Sequence, residues 1–235
     1  MTSKFNCLLV GESGVGKTPL VATLAGCEKT SPCLLLDVDA GAMSVVDNPK
    51  PTIYEVDSWS DVQRVYGLLK RQEWDVLAEL TKSARLEYKS VVIDSGTELE
   101  YVLRRFVMSE GGSDSEIPEQ PHYLKTQERF RRLYRAFRDL PLTLVMTAGV
   151  RDLKDELSGI VKYYPAFQPA LTRDLIRMTD LVLFMDVKFE DKRWIRTLQT
   201  HISQRVIARD RSQKLESVIK GEKLYMKNIV EKVLV

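Results

Sequence analysis

Residues 11–18 read Gly11-Glu12-Ser13-Gly14-Val15-Gly16-Lys17-Thr18, directly after the apolar run Phe5-Asn6-Cys7-Leu8-Leu9-Val10. A buried strand running into a glycine-rich turn and then a helix is the setting in which G-x-x-x-x-G-K-[ST] works as a phosphate loop. The glycines let the backbone curl so that the amides of residues 11–18 point inward at the β- and γ-phosphates of a nucleoside triphosphate, and the helix behind them adds the positive end of its dipole. Lys17 then reaches the terminal phosphates, and the Thr18 hydroxyl is the expected protein ligand of a bridging Mg²⁺. Pro19 falls in the first helical turn, where a missing N–H costs little.

Strand-like runs at 5–10, 33–37, 52–56, 90–94, 142–147 and 180–187 alternate with helix-like segments. That alternation predicts an α/β fold with a mostly parallel sheet covered by helices on both faces. Ser58-Trp59-Ser60-Asp61 reads as a helix start, residues 74–86 as a further helix, and 222–234 as a terminal helix. Residues 193–199 and 204–208 read as antiparallel strands at one edge of the sheet. A chain of 235 residues with 44% apolar content suits one domain over 1–235, with a core at 1–187 and a β extension and helix at 188–235. Residues 109–121 form the expected mobile loop.

A net charge of +2 does not mark a nucleic-acid binder, so any such role has to come from local clusters. Cys7, Cys27 and Cys33 lie in or beside apolar segments without C-x-x-C spacing, which suits reduced thiols in the cytoplasm. Neither a signal sequence nor an apolar stretch long enough to span a membrane is present.

Mg²⁺ on a triphosphate needs a carboxylate at the tip of a neighbouring buried strand, and Ser90-Val91-Val92-Ile93-Asp94-Ser95 supplies Asp94. Turnover also needs a group that orients or deprotonates water. The position after Asp94 is Ser95, so that group must come from another strand, and Leu34-Leu35-Leu36-Asp37-Val38-Asp39 offers one. Asp37 and Asp39 face the same way, and Asp39, lying farther into the loop, is the favoured residue. The chain contains no D-x-x-G and no [NT]-K-x-D, so ATP is favoured over GTP.

The chain resembles the RecA-type ATPase core, and most closely the compact phage nucleotide-binding proteins that include RecA-like single-strand annealing proteins. The resemblance runs from Lys4 to about Lys214. It is carried by Gly11 to Thr18, Leu36-Asp37-Val38-Asp39, Val92-Ile93-Asp94-Ser95, Leu144-Val145-Met146-Thr147-Ala148 and Val206-Ile207-Ala208-Arg209-Asp210-Arg211. It implies a Mg²⁺-dependent ATPase with Asp39 where the family usually has a water-activating Glu. It places Thr147 at the γ-phosphate sensor, with Arg151 as the fallback. Arg209 and Arg211, on one face of an extended segment, match basic residues that reach a neighbouring subunit's ATP in a ring or filament.

The same resemblance implies single-stranded DNA as partner, contacted through the loops that follow the metal-binding strand and the sensor strand, here near 109–123 and 149–166, and a role in annealing or recombination. The first segment is acidic, whereas the second carries Arg151, Lys154, Lys162, Tyr163, Tyr164 and Phe167, able to neutralise phosphates and stack bases. Arg131, Arg135 and Arg138 on the 122–139 helix form a further basic stripe. A single-strand-binding protein is a further expected partner. Two other functions stay open: a nucleotide-gated protein-interaction switch, and a small-molecule kinase on the same phosphate loop.

Overall fold

The computed structural model describes residues 4–45, 50–110, 117–154, 156, 159–190, 192–221 and 224–234. At its centre is a strand set that reads as almost unbroken apolar sequence: β1 (Asn6–Gly11), β2 (Cys33–Asp37), β4 (Ser90–Asp94) and β5 (Thr143–Ala148), every residue of which is buried. Burial on both faces is what removes the polar alternation from such strands. β3 (Thr52–Glu55) lies outside β2, and β8 (Leu181–Glu190) lies on the other side of β1. β9 (Arg193–Gln199) returns antiparallel to β8, and β11 (Val218–Lys220) closes that edge.

Among the described residues the sheet has nine strands, in the order β11-β9-β8-β1-β5-β4-β2-β3 with β10 (Arg209–Asp210) pairing on β8 below the reach of β9. The six strands β3-β2-β4-β5-β1-β8 run parallel. The expected α/β architecture, with a mostly parallel sheet and antiparallel C-terminal strands, is therefore the observed one.

Helices cover both faces. On one, α2 (Trp59–Arg71), α4 (Gly96–Glu110), α5 (Gln120–Asp139) and α6 (Pro169–Met178) bury a core that includes Phe130, Tyr134 and Phe137. On the other, α1 (Lys17–Ala22) and α7 (Met226–Val233) pack Leu20, Val21, Ile229 and Val230 against β1 and β2. α2 starts where Ser58 predicts. The Ser58 hydroxyl accepts from the Asp61 amide, and the Asp61 carboxylate accepts from the Ser58 amide at 2.8 Å, a reciprocal cap. Among the described residues no helix is long and apolar enough to cross a membrane. Cys7, Cys27 and Cys33 are free and buried, and burial pushes the Cys33 thiol up to about 12.

Four sequence expectations need correction. The 74–86 helix, α3, stops at Thr81, because Lys82 adopts a left-handed conformation and the Ser83 amide turns back to the Ala78 carbonyl. Residues 204–208 are not a strand: Val206 makes a single bridge to Tyr163, and pairing begins only at Arg209. Residues 149–166 are not a plain loop but a two-stranded hairpin, β6 (Val150–Lys154) and β7 (Val161–Pro165). Finally, the strand expected over 180–187, β8, runs on to Glu190. The centre of the expected mobile loop, 111–116, lies outside the described residues, and so do residues 222 and 223 of the expected terminal helix.

Candidate nucleotide-binding site

The phosphate loop hangs between the end of β1 and the start of α1. Close packing dictates its first glycine: a Cβ on Gly11 would lie 2.7 Å from the Met185 carbonyl oxygen of β8. Gly16, at φ +103°, takes a backbone conformation that side chains strain to reach. Between them Val15 is buried in the α1/α7 core and pins the loop to the body, while Glu12, Ser13 and Gly14 stay exposed. The Lys17 ammonium crosses the loop mouth and donates to the Gly11 and Glu12 carbonyls, each at 2.9 Å. Burial lowers its pKa, and the charges of Asp94, Asp39 and Glu12 oppose that shift.

β5 separates β1 from β4, so the loop and Asp94 sit on alternate strands with Thr147 between them. Thr147 pairs with Leu9 on one side, and on the other its hydroxyl donates to Asp94 Oδ1. Asp94 is 1% exposed, and its second oxygen, Oδ2, is buried and among the described residues accepts no hydrogen bond of good geometry, although the Thr18 hydroxyl lies close enough to act on the carboxylate. Burial pushes the Asp94 carboxyl above its ordinary value. The Thr147 and Thr18 hydroxyls hold it down, while the Asp39 and Asp37 charges push it further up. An orphaned carboxylate oxygen in the electrostatic company of Thr18 is the donor set a hydrated Mg²⁺ takes, so the residues present fit the ion.

The two aspartates at the end of β2 separate by role. Asp37 is buried and accepts from the Gly41 and Ala42 amides at 2.9 and 3.0 Å, which fixes the turn. Asp39 is exposed. A Cβ placed on Gly41 would lie 2.9 Å from Asp39 Oδ1 and 3.5 Å from the Thr18 hydroxyl, so the two side chains border one point beside the loop. Lys17, Thr18, Asp39 and Asp94 are thus brought together.

Thr147 is brought there too, but as an orienting group. It is fully buried, and its hydroxyl donates to Asp94 rather than toward the phosphate loop. Arg151 lies on β6 near Glu100, whose carboxyl burial pushes up, and no described contact joins it to Lys17 or Asp94.

Arg209 and Arg211 are not at this chain's own loop. They sit beside Leu181 and Val182, at the end of β8 remote from Met185 and Gly11. The Arg209 guanidinium donates to the Thr179 carbonyl at 2.7 Å and Arg211 to the Arg177 carbonyl at 2.6 Å, so together they tie down the C-terminus of α6.

The expected DNA surfaces change as well. Phe167 is core, 5.6 Å from Phe130, and Tyr163 packs on Phe184 at 5.9 Å. Arg131 is paired with Asp174 and Glu128, and Arg135 and Arg138 have partners of their own. Among the acidic residues of the first segment, Glu110 pairs with Arg129 and Glu119 caps α5, while Asp114 and Glu116 lie outside the described residues.

Sequence reasoning missed Arg196. It reaches from β9 across β8, and its Nε donates to the Val15 carbonyl at 2.9 Å, directly over Gly16. Strand alternation in 193–199 signals which side chains share a face, but not that this face meets the phosphate loop.

No curated protein matches the chain. Among solved structures, a KaiC-like protein from the hyperthermophilic archaeon Pyrococcus horikoshii OT3 is similar at 13% identity and a TM-score of 0.46, covering 92% of this chain and 83% of that one. The family described as an AAA domain matches residues 3–212. With that match spanning the loop, the Asp94 strand and the whole parallel sheet, the chain belongs to the AAA-domain family and is a P-loop ATPase.

Proposed function

We propose that the protein hydrolyses ATP with Mg²⁺ and uses the nucleotide state to control its grip on single-stranded DNA, in annealing or recombination. The observation that carries the hydrolytic part is the buried Oδ2 of Asp94, without a hydrogen bond of good geometry among the described residues, on a carboxylate that the Thr18 hydroxyl also acts on. Thr18 and Asp94 would hold the ion, which supplies charge neutralisation between the β- and γ-phosphates. Lys17 binds the terminal phosphates, its charge kept by the three carboxylates around it. Asp39, exposed and close to Thr18, orients the attacking water and takes its proton.

The DNA part rests on the resemblance to phage annealing proteins, as do assembly into a ring or filament, an interplay with a single-strand-binding protein and a phage origin. Phosphate release measured with and without Mg²⁺, and with and without a single-stranded oligonucleotide, tests both parts. The proposal expects no turnover in EDTA and faster turnover with oligonucleotide. Turnover indifferent to DNA, together with no salt-sensitive strand binding, removes the DNA part.

One observation favours a second reading, a nucleotide-gated interaction switch: the residue at the sensor position, Thr147, is committed to Asp94. If Asp39→Ala keeps the biological activity while Lys17→Ala abolishes it, binding rather than hydrolysis is what matters.

A further inference from the structure

We infer that the projecting ends of β8 and β9, around Phe189 and Trp194, are the surface that takes single-stranded nucleic acid, and that Arg196 links this surface to the phosphate loop. The inference rests on the DNA reading proposed above and names its site.

Gly11 stands level with Met185, so β8 runs on past the phosphate loop to Glu190 before β9 turns back. This projecting ribbon carries two large rings in register, Phe189 opposite Trp194. They are 61% and 73% exposed, and their centroids are 5.1 Å apart at an interplanar angle of 58°. Two aromatic rings that cover mainly each other, on a ribbon end away from either core cluster, do little for the fold.

The flanking charges indicate what the rings are for. Lys192 is exposed in the turn beside them, Lys188 and Arg193 are exposed on the opposite face of the ribbon, and the Glu190 carboxylate on that opposite face is paired with Lys220 at 2.9 Å. A protein-docking patch tends to be depleted of lysine at its centre. Rings on one face of a narrow ribbon, with cations at its turn and on its reverse, instead match a polyanion that wraps the ribbon end and whose bases stack, since every base has a π face and each phosphate contact releases a counterion.

The link follows from strand alternation. Trp194 and Arg196 are two residues apart on β9 and so share a face, and Arg196 holds the Val15 carbonyl over Gly16. A base stacked on Trp194 therefore bears on the strand that grips the loop, and a nucleotide in the loop bears on Arg196. Such coupling is reciprocal: the factor by which ATP tightens the strand is the factor by which the strand tightens ATP.

The test uses the full chain and a fluorescein-labelled oligothymidylate, followed by anisotropy at low and moderate salt, with and without a non-hydrolysable ATP analogue. Wild type should bind with a steep salt dependence. The Phe189→Ala, Trp194→Ala double variant should bind at least about tenfold more weakly, the loss expected from about 1.4 kcal/mol of stacking. Because both rings are exposed, an unchanged melting temperature checks that this variant is folded. Trp194→Phe should recover most of the affinity, and Arg196→Ala should bring the mutual effect of analogue and oligonucleotide close to none.

Equal binding by wild type and double variant would overturn the inference and leave the proposed function standing. No binding by wild type in any nucleotide state would overturn both. A double variant that keeps the oligonucleotide but loses affinity for the ATP analogue alone would assign the rings to adenine, and would also overturn it.

Discussion

The Thr147 hydroxyl donates to Asp94 Oδ1 across the seam between β4 and β5, and that bond leaves Oδ2 as the free face of a buried carboxylate. A threonine at a strand end thereby decides which oxygen of its neighbour is left to meet a metal. Partners that orient a metal-binding carboxylate typically cost ten- to a hundredfold in metal affinity when removed. Thr147→Val should accordingly weaken Mg²⁺-dependent ATP binding by at least about tenfold, while Thr147→Ser, which keeps the donor, stays near wild type. Calorimetric titration of each variant with ATP in Mg²⁺ and in EDTA measures the difference.

Burying the Asp94 carboxylate costs stability. Burial raises its pKa in the folded chain, so between the unfolded and folded values the native state binds more protons than the unfolded state. This group's contribution to stability is therefore largest at low pH and is lost as pH rises through the raised value. Asp94→Asn removes the buried charge, can still accept from Thr147, and should melt higher than wild type at neutral pH. It should also lose the Mg²⁺ dependence of ATP binding. In wild type, that dependence should fade on acidification at a pH above the ordinary Asp range. Thermal melts and Mg²⁺ titrations over pH check both signs.

Gly16→Ala should abolish ATP binding and lower stability by at least about 1 kcal/mol, the scale of strain for a side chain in the left-handed region. The added Cβ would meet Arg196 Nε at 2.9 Å, and the flexible arginine can move aside, but φ of +103° cannot relax without reshaping the loop. Gly16→Ala combined with Arg196→Ala should therefore remain defective in nucleotide binding. Recovery in the double variant would show that the clash, not the backbone, sets the requirement.

Arg209→Ala should reduce the urea midpoint, losing about 1.5–3 kcal/mol as its charged donor leaves the Thr179 carbonyl at the end of α6. Turnover per folded molecule should change little. The opposite pattern, intact stability with turnover lost, would mean that Arg209 reaches a neighbouring subunit's nucleotide.

The central strands were legible because parallel strands buried on both faces leave continuous apolar runs, as in Leu34-Leu35-Leu36 and Val91-Val92-Ile93. The phosphate loop was legible because close approach to Met185 and the positive φ of Gly16 leave few residue types that fit. The β6–β7 hairpin was not, since its half-exposed strands mix Arg151, Asp152 and Lys154 without clean alternation. Val206 and Ala208 misled for the opposite reason: both are buried, but by packing rather than by strand pairing. The work of Thr147 depends on the register of β5 between β1 and β4, and that of Arg196 on β9 lying two strands from the loop. Both are facts of assembly that no local pattern carries.

The whole site depends on the amides of residues 11–18, Lys17 and Asp94 closing on one polyphosphate. Isothermal calorimetry of the wild-type chain with ATP and Mg²⁺ tests it most directly, run beside Lys17→Ala and Asp94→Ala. A saturable heat in wild type, absent in Lys17→Ala and insensitive to Mg²⁺ in Asp94→Ala, is the expected outcome. No heat in wild type, or equal binding by all three proteins, would contradict it.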